Sequence, residues 1–139
     1  MGHSILEMDE PEHHHYRGLI QQAFSRKALD RWQEELVRPM VDSIVSEIAD
    51  RGHGDLVREL TFPFPVRVIA GMLGLPAEDL PQFHRWAVEL ISVGFDFDVG
   101  TAASQKLRDY FAAVLAPRRV EPRDDLISVL AHASLDGRV

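Results

Sequence analysis

The 139-residue sequence contains no cysteine, and this absence excludes several kinds of chemistry. Without cysteine, the chain forms no disulfide, binds no metal through thiolates and uses no thiolate nucleophile. The sequence also lacks an apolar run long enough to cross a bilayer, and it opens without a secretory signal. We therefore expect a protein that has no membrane span and is located in the cytoplasm.

Positive charge is also scarce, because the chain has 15 Lys and Arg residues against 22 Asp and Glu residues and a formal net charge of −7. The basic residues form no stripe, which argues against nucleic-acid binding. Apolar residues make up 45% of the chain, which is enough for a folded core and too much for a disordered segment. We expect residues 1–139 to form a single helical region without a linker or repeat.

Hydrophobic periodicity predicts about six helices and almost no sheet, so the expected fold class is all-α. The first helix starts in the acidic stretch 9–12, where Pro11 and the carboxylates favour a helix N-terminus. Ser25 is a candidate N-cap for a long amphipathic helix that ends at Gly52 and that Pro39 should kink or restart. Residues 54–57 predict a short strand or an extended segment. The remaining predictions are a buried helix over 66–73, a helix over 78–93, a loop over 94–100, a helix over 102–116 that Pro117 ends, and a short helix over 124–133.

Three consecutive histidines, His13 to His15, lie in the first predicted helix. Consecutive helical residues point about 100° apart, so the three cannot converge on one metal ion, and no second cluster of ligands supports a metal site. His13 and Arg17 are four residues apart and share a helix face. Both can donate hydrogen bonds, and the planar guanidinium suits a carboxylate or a phosphate. The pattern alone leaves open an anion site and an ordinary solvated face.

No residue of the sequence stands in an arrangement typical of a general acid, a general base or a nucleophile. The neighbouring carboxylates Asp124 and Asp125 fit helix capping better than catalysis. Trp32 and Trp86 are predicted to be core residues. We therefore assign no catalytic residue to this chain.

Four stretches, taken together and in this order, resemble the cytochrome P-450 family of haem-thiolate monooxygenases, especially its bacterial soluble members. The first has the family's acidic-Pro-x-His-x-x-x-Arg pattern and ends in Ala-Phe, and the second closes with Leu-Gly-x-Pro. The four stretches are MDEPEHHHYRGLIQQAF (8–24), FPFPVRVIAGMLGLP (62–76), QFHRWAVELI (82–91) and PRDDLISVLAHASLDG (122–137).

The resemblance covers the family's helices C to H and implies a partial cytochrome P-450 fold. The central oxygen-activating helix and the loop with the haem-ligating cysteine would lie beyond Val139. The chain is then expected to be a segment of a larger domain. Because it has no cysteine, it is expected to be inactive alone and to hold haem b poorly or not at all. Exposed apolar surface on such a segment would favour self-association.

The resemblance also implies roles for individual residues. His13 and Arg17 would reach a haem propionate, whereas His14 and His15 have no matching role. Phe24 is equally consistent with a core aromatic, and Ile5 and Leu6 are equally consistent with loose apolar residues near a terminus. Core packing explains Leu90 and Ile91 about as well as a substrate contact does. The implied haem-contacting residues are His13, Arg17, Phe24, Ile5 and Leu6, and the implied substrate-contacting residues are Leu90, Ile91, Val93 and Phe95.

Two functions follow as hypotheses. In the first, the full-length protein is a haem monooxygenase that hydroxylates an apolar small molecule with dioxygen and with electrons from a ferredoxin or a flavin reductase. This chain would then supply propionate contacts and part of the substrate pocket. In the second, the chain is a truncated, non-catalytic helical module that binds or scaffolds a partner without haem.

Overall fold

The computed structural model of the chain describes residues 5–133. Within that range the chain is helical and has no strand, which confirms the all-α prediction. Short 3-10 helices at Ile5–Glu7, Ala77–Asp79 and Ser92–Gly94 supplement the α-helices. The α-helices are α1 (Glu12–Ala23), α2 (Arg26–Trp32), α3 (Arg38–Arg51), α4 (Pro63–Met72), α5 (Leu80–Ile91), α6 (Phe97–Val120) and α7 (Leu126–Ala131).

The described residues divide into two compact units. The terminal unit contains residues 5–25 and 86–133, and the central unit contains residues 26–85. In the terminal unit, α7 contacts both α1 and α6. Small and aliphatic side chains form its buried core, namely Ala23, Ala103, Leu107, Leu126, Ile127 and Ala133.

Prolines explain why the long predicted helix of the central unit is interrupted. A π-helical turn, Gln33–Val37, separates α2 from α3, and Pro39 is the second residue of α3. Proline has no N–H group and its ring clashes with the carbonyl four residues earlier, so a widened turn before it relieves the clash. A second π-helical turn, Val57–Thr61, precedes Pro63 in the same way. The predicted restart at Pro39 is confirmed.

The prediction of a strand at residues 54–57 is wrong. The helical backbone starts at Leu56, and the Asp55 carboxylate accepts hydrogen bonds from the N–H groups of Val57 at 3.0 Å and Arg58 at 3.1 Å. An acidic side chain that satisfies free N–H groups is typical of a helix N-terminus. Asp55 therefore favours a helix start over an extended segment.

Helix α4 is less buried than its apolar sequence predicts. Among its residues only Ala70 is buried, and Ile69 is 48% exposed. Beside the helix, the central unit contains an apolar cavity of about 610 Å³. The helix therefore buries one face only in this chain. The prediction of a buried helix over 66–73 is wrong for these residues, whereas the exposed apolar surface expected of such a segment is present. The residues that line the cavity are Leu36, Met40, Pro63, Val66, Arg67, Gly71, Leu75, Ala77, Leu80, Pro81 and His84.

Helix α6 is longer at both ends than the predicted helix over 102–116. It begins at Phe97, because the Asp96 side chain caps it by accepting the Val99 N–H at 3.1 Å, so the predicted loop is helical from Phe97 onward. It also continues through Pro117 to Val120. The carbonyl that loses its helical donor is that of Ala113, and Ala113 is exposed like Pro117, so water can satisfy this carbonyl.

A buried ion pair joins the end of α6 to the start of α7. Arg118 Nε donates to Asp125 Oδ2 at 2.7 Å, and the two side chains are 5% and 4% exposed. Asp125 also caps α7, since its Oδ1 accepts the Ser128 N–H at 2.7 Å. Burial raises the pKa of Asp125, but hydrogen bonds from Ser128 and Arg118 and the charge of Arg118 outweigh burial and lower the pKa below its usual value. The predicted capping role of Asp125 is confirmed.

This lowered pKa predicts an acid-sensitive stability. Because the pKa of Asp125 is lower in the folded chain than in the unfolded chain, the ionised carboxylate stabilises the fold above the unfolded-state pKa of about 3.9. That contribution is lost as the pH falls through the folded-state pKa. We expect the free energy of unfolding, measured in urea, to fall less between neutral pH and about pH 4 or below in Asp125→Asn than in the wild type. An equal decrease in the free energy of unfolding in both proteins would contradict this prediction.

Candidate functional site

The first two turns of α1 carry the candidate anion-binding residues. Helix α1 begins at Glu12, and the His13 N–H donates to the Asp9 carbonyl at 2.9 Å. His13 is half-buried, whereas His14 and Arg17 are exposed. The predicted placement of these residues at the start of a helix is confirmed.

A concavity of about 570 Å³ lies against α1 in the terminal unit. Arg17 lines it together with His14, which lies three residues earlier and therefore on a neighbouring part of the helix face. The guanidinium, the imidazole and two side-chain amides all offer N–H donors, which suits an anionic group. The lining residues are His14, Arg17, Gly18, Gln21 and Gln22.

His13 contacts an acidic neighbour instead of lining this concavity. Its Nδ1 atom lies 3.4 Å from Glu10 Oε1, and its side chain is 33% exposed. That separation is longer than a usual hydrogen bond, so the contact holds the ring only weakly. The structure thus places His14 in the same concavity as Arg17. The spacing of four residues paired Arg17 with His13, and no role was implied for His14.

The other predicted haem-contacting residues flank α1. Ile5 and Leu6 belong to the 3-10 helix that precedes α1 and contacts it. Ile5 is half-buried and Leu6 is 93% exposed. Phe24 follows the last residue of α1 and is 40% exposed, so it is not a buried core residue of this chain.

The predicted substrate-contacting residues lie at the end of α5 and in the turn that follows it. Leu90 and Val93 are half-buried, whereas Ile91 is 77% exposed and Phe95 is 97% exposed. Large apolar side chains with this exposure offer contact area to a ligand or to another part of a protein. The structure places these residues in one short stretch, the end of α5 and the turn that follows it, whereas the concavity at Arg17 is lined by α1 residues.

Hydrogen bonds hold the backbone of this turn, which we call the α5–α6 turn and define as residues 92–96. The N–H groups of Phe95 and Asp96 both donate to the Ser92 carbonyl at 2.8 Å. The Ser92 hydroxyl donates to the Glu89 carbonyl at 2.7 Å. The predicted loop over 94–100 is therefore a short hydrogen-bonded turn followed by the first residues of α6.

The two predicted core tryptophans are both half-buried. Trp86 packs edge-on against Tyr110, with the ring centroids 5.8 Å apart. This contact joins α5 to α6 within the terminal unit. Packing of this kind agrees with a structural role for Trp86.

Sequence reasoning missed the apolar cavity beside α4 and the Arg118–Asp125 ion pair. The cavity depends on side chains distant in sequence, so periodicity carried no signal for it. His84 lines the cavity, and its Nε2 atom is buried without a hydrogen-bond partner among residues 5–133. The ion pair could have been suspected from an arginine seven residues before a capping aspartate, but only the fold shows that both are buried.

Two further observations bear on the kind of site. Across residues 5–133, no group of three or more His, Asp or Glu side chains is placed to hold a metal ion. No helix in the same range is long and apolar enough to span a membrane.

No protein-family model matches the sequence. Individual relatives do match it over nearly its whole length. A steroid C26-monooxygenase of Mycobacterium tuberculosis is 33% identical over 139 residues, a match that covers 96% of this chain and 37% of the relative. The erythromycin C-12 hydroxylase of Saccharopolyspora erythraea is 37% identical over 142 residues, which is 96% of this chain and 35% of the relative.

Solved structures also resemble the fold of this chain. CYP109E1 of Bacillus megaterium, in complex with testosterone, superposes with a TM-score of 0.84 at 33% identity over 99% of this chain. The chain has a partial cytochrome P-450 fold. This confirms the resemblance on which the site assignments depend. The chain spans a little over one third of the relatives it matches, namely 37% and 35% of the two enzymes and 38% of the crystal structure.

Proposed function

We propose that the full-length protein is a cytochrome P-450 monooxygenase and that this segment contributes haem-propionate contacts and part of the substrate pocket. The observation that carries the proposal is the exposed Arg17 in a donor-lined concavity on α1. It lies in a chain that matches monooxygenases over 96% of its length. Haem b, when bound, supplies the oxygen chemistry, and the protein supplies binding and orientation.

The donors on α1 fit one end of haem. A propionate is a carboxylate, and Arg17 can donate two parallel hydrogen bonds to it. His13 or His14 can add one donor each, and His13 would first have to leave Glu10. The axial thiolate cannot come from this chain, because none of its 139 residues is cysteine.

The exposed residues at the end of α5 and in the α5–α6 turn fit the substrate side of the same proposal. Ile91 and Phe95 present apolar surface, and Val93 supports the turn from within. The named relatives act on a steroid and on erythromycin. We propose that this protein hydroxylates an apolar small molecule, with electrons from a ferredoxin or a flavin reductase.

A second candidate function is a helical module without haem. The absence of cysteine favours it for the 139-residue chain alone. The high exposure of Leu6, Ile91 and Phe95 favours self-association of that chain, which is the form such a module would take.

Carbon monoxide added to the reduced protein separates the two candidates. The full-length protein is expected to show the long-wavelength Soret band of a thiolate-ligated haem, because the iron keeps its thiolate when it binds carbon monoxide. The 139-residue chain, mixed with haem and treated identically, is expected to lack that band. A full-length protein without the band would contradict the monooxygenase proposal, and a band from the chain alone would contradict the role assigned to the missing cysteine.

A further inference from the structure

The α5–α6 turn is packed against α6 at a glycine. Gly100 is buried in the first turn of α6. A Cβ atom on Gly100 would lie 2.5 Å from the Cβ and 2.6 Å from the Cα of Val93. Carbon atoms in ordinary contact are about 3.5–4.0 Å apart. Any side chain at residue 100 would therefore displace Val93 and its backbone by roughly 1 Å.

Space, and not backbone conformation, explains glycine at this position. Gly100 is helical, and the left-handed backbone that favours glycine occurs elsewhere, at Gly52 and Gly74. Glycine is less favourable than alanine inside a helix, so the position carries a cost in helix propensity. The close approach of Val93 is the physical reason to keep glycine there.

Gly94, in the α5–α6 turn, provides a matched contrast to Gly100. A Cβ atom on Gly94 would meet no atom within 4 Å. Gly94→Ala and Gly100→Ala therefore add the same methyl group six residues apart, one in open space and one against Val93. A property that differs between the two variants therefore depends on the contact between residue 100 and Val93.

We propose that Gly100 is a positioning residue that determines which substrates fit the pocket. Its missing side chain lets Val93 lie against α6, and this contact fixes the α5–α6 turn and the direction of Phe95. Phe95 is 97% exposed, so packing of its own ring cannot hold it in place and the backbone of the turn must do so. The inference rests on the proposed function, which places Val93 and Phe95 at the substrate.

Amide hydrogen exchange on the 139-residue chain tests the positioning step. Phe95 and Asp96 donate their N–H groups within the turn, whereas the Ser128 N–H caps α7 and serves as an internal reference. We expect Gly100→Ala to speed exchange at Phe95 and Asp96 about tenfold or more, with Ser128 unchanged. Gly94→Ala is expected to leave all three amides as in the wild type.

Two results would overturn the positioning step. One is a Gly100→Ala chain that exchanges like Gly94→Ala, and the other is an equal increase at Ser128, which would mean general destabilisation. Val93→Ala removes the Cγ2 methyl group, which would lie 2.9 Å from a Cβ atom on Gly100, and it adds no clash, so it tests the contact even where Gly100→Ala fails to fold. It is expected to speed the same two amides, and an unchanged rate would also overturn the proposal.

Binding of imidazole and 4-phenylimidazole to the haem-loaded full-length protein tests the specificity step. Imidazole is small, whereas the phenyl group must fit the pocket. We expect Gly100→Ala to change the affinity for 4-phenylimidazole about three- to tenfold and that for imidazole less than twofold. Equal affinities in wild type and Gly100→Ala would overturn the specificity role.

The two experiments keep this inference separate from the proposed function. A full-length protein that takes up no haem contradicts the monooxygenase proposal and the specificity role. The exchange rates at Phe95 and Asp96 still decide whether Gly100 holds the turn.

Discussion

Replacing Arg118 with alanine is expected to destabilise the chain by about 3–5 kcal/mol, the usual cost of removing one partner of a buried ion pair. The Asp125 side chain is 4% exposed, so its carboxylate would stay in a poorly solvated place without the guanidinium. The hydrogen bond from the Ser128 N–H would remain, but it does not neutralise the charge. Equilibrium urea unfolding, monitored by circular dichroism, measures the loss.

Arg119 gives the matched control for this prediction. It is the next residue of α6 and is exposed, so Arg119→Ala is expected to change stability by less than about 0.5 kcal/mol. The double variant Arg118→Met, Asp125→Leu removes both charges and is expected to cost less than Arg118→Ala alone. Equal losses for Arg118→Ala and Arg119→Ala would contradict the buried pair.

Replacing Arg17 with alanine is expected to speed haem loss from the full-length protein by about one to two decades. A charge-assisted hydrogen bond contributes roughly 1.5–3 kcal/mol, and each 1.4 kcal/mol corresponds to about a tenfold change. Alanine favours helix, so α1 itself should tolerate the change. Transfer of haem to apomyoglobin measures the rate.

Histidine variants show which imidazole acts with Arg17. We expect His13→Ala to be milder than Arg17→Ala, because a neutral imidazole donates only one hydrogen bond. His14→Ala is expected to be nearly silent, although His14 lines the concavity at Arg17. If His14→Ala released haem as fast as Arg17→Ala, the assignment of His13 as the histidine that acts with Arg17 would be wrong.

Local sequence rules predicted most of the helices, because their signals lie within a few residues of each other. The interruption before Pro39 follows from the missing N–H and the ring clash of proline. The start of α6 was missed although Asp96 is a good N-cap, because Gly94 and the nearby carboxylates suggested a loop. Pro117 was expected to end α6, but exposure to water makes it tolerable inside the helix.

The site was predictable only where one helix carries it. Spacing along α1 identified the face of Arg17, since residues three and four apart share a face. The contact of Val93 with Gly100 and the burial of Arg118 depend on how helices pack, which no local pattern encodes.

A crystal structure of the haem-loaded full-length protein is the most direct test of the central claim, that α1 anchors a haem propionate. The account predicts that the Arg17 guanidinium lies about 2.7–2.9 Å from a propionate oxygen, the usual length of a charge-assisted hydrogen bond. A structure in which Arg17 points into solvent, while residues outside α1 hold both propionates, would contradict it.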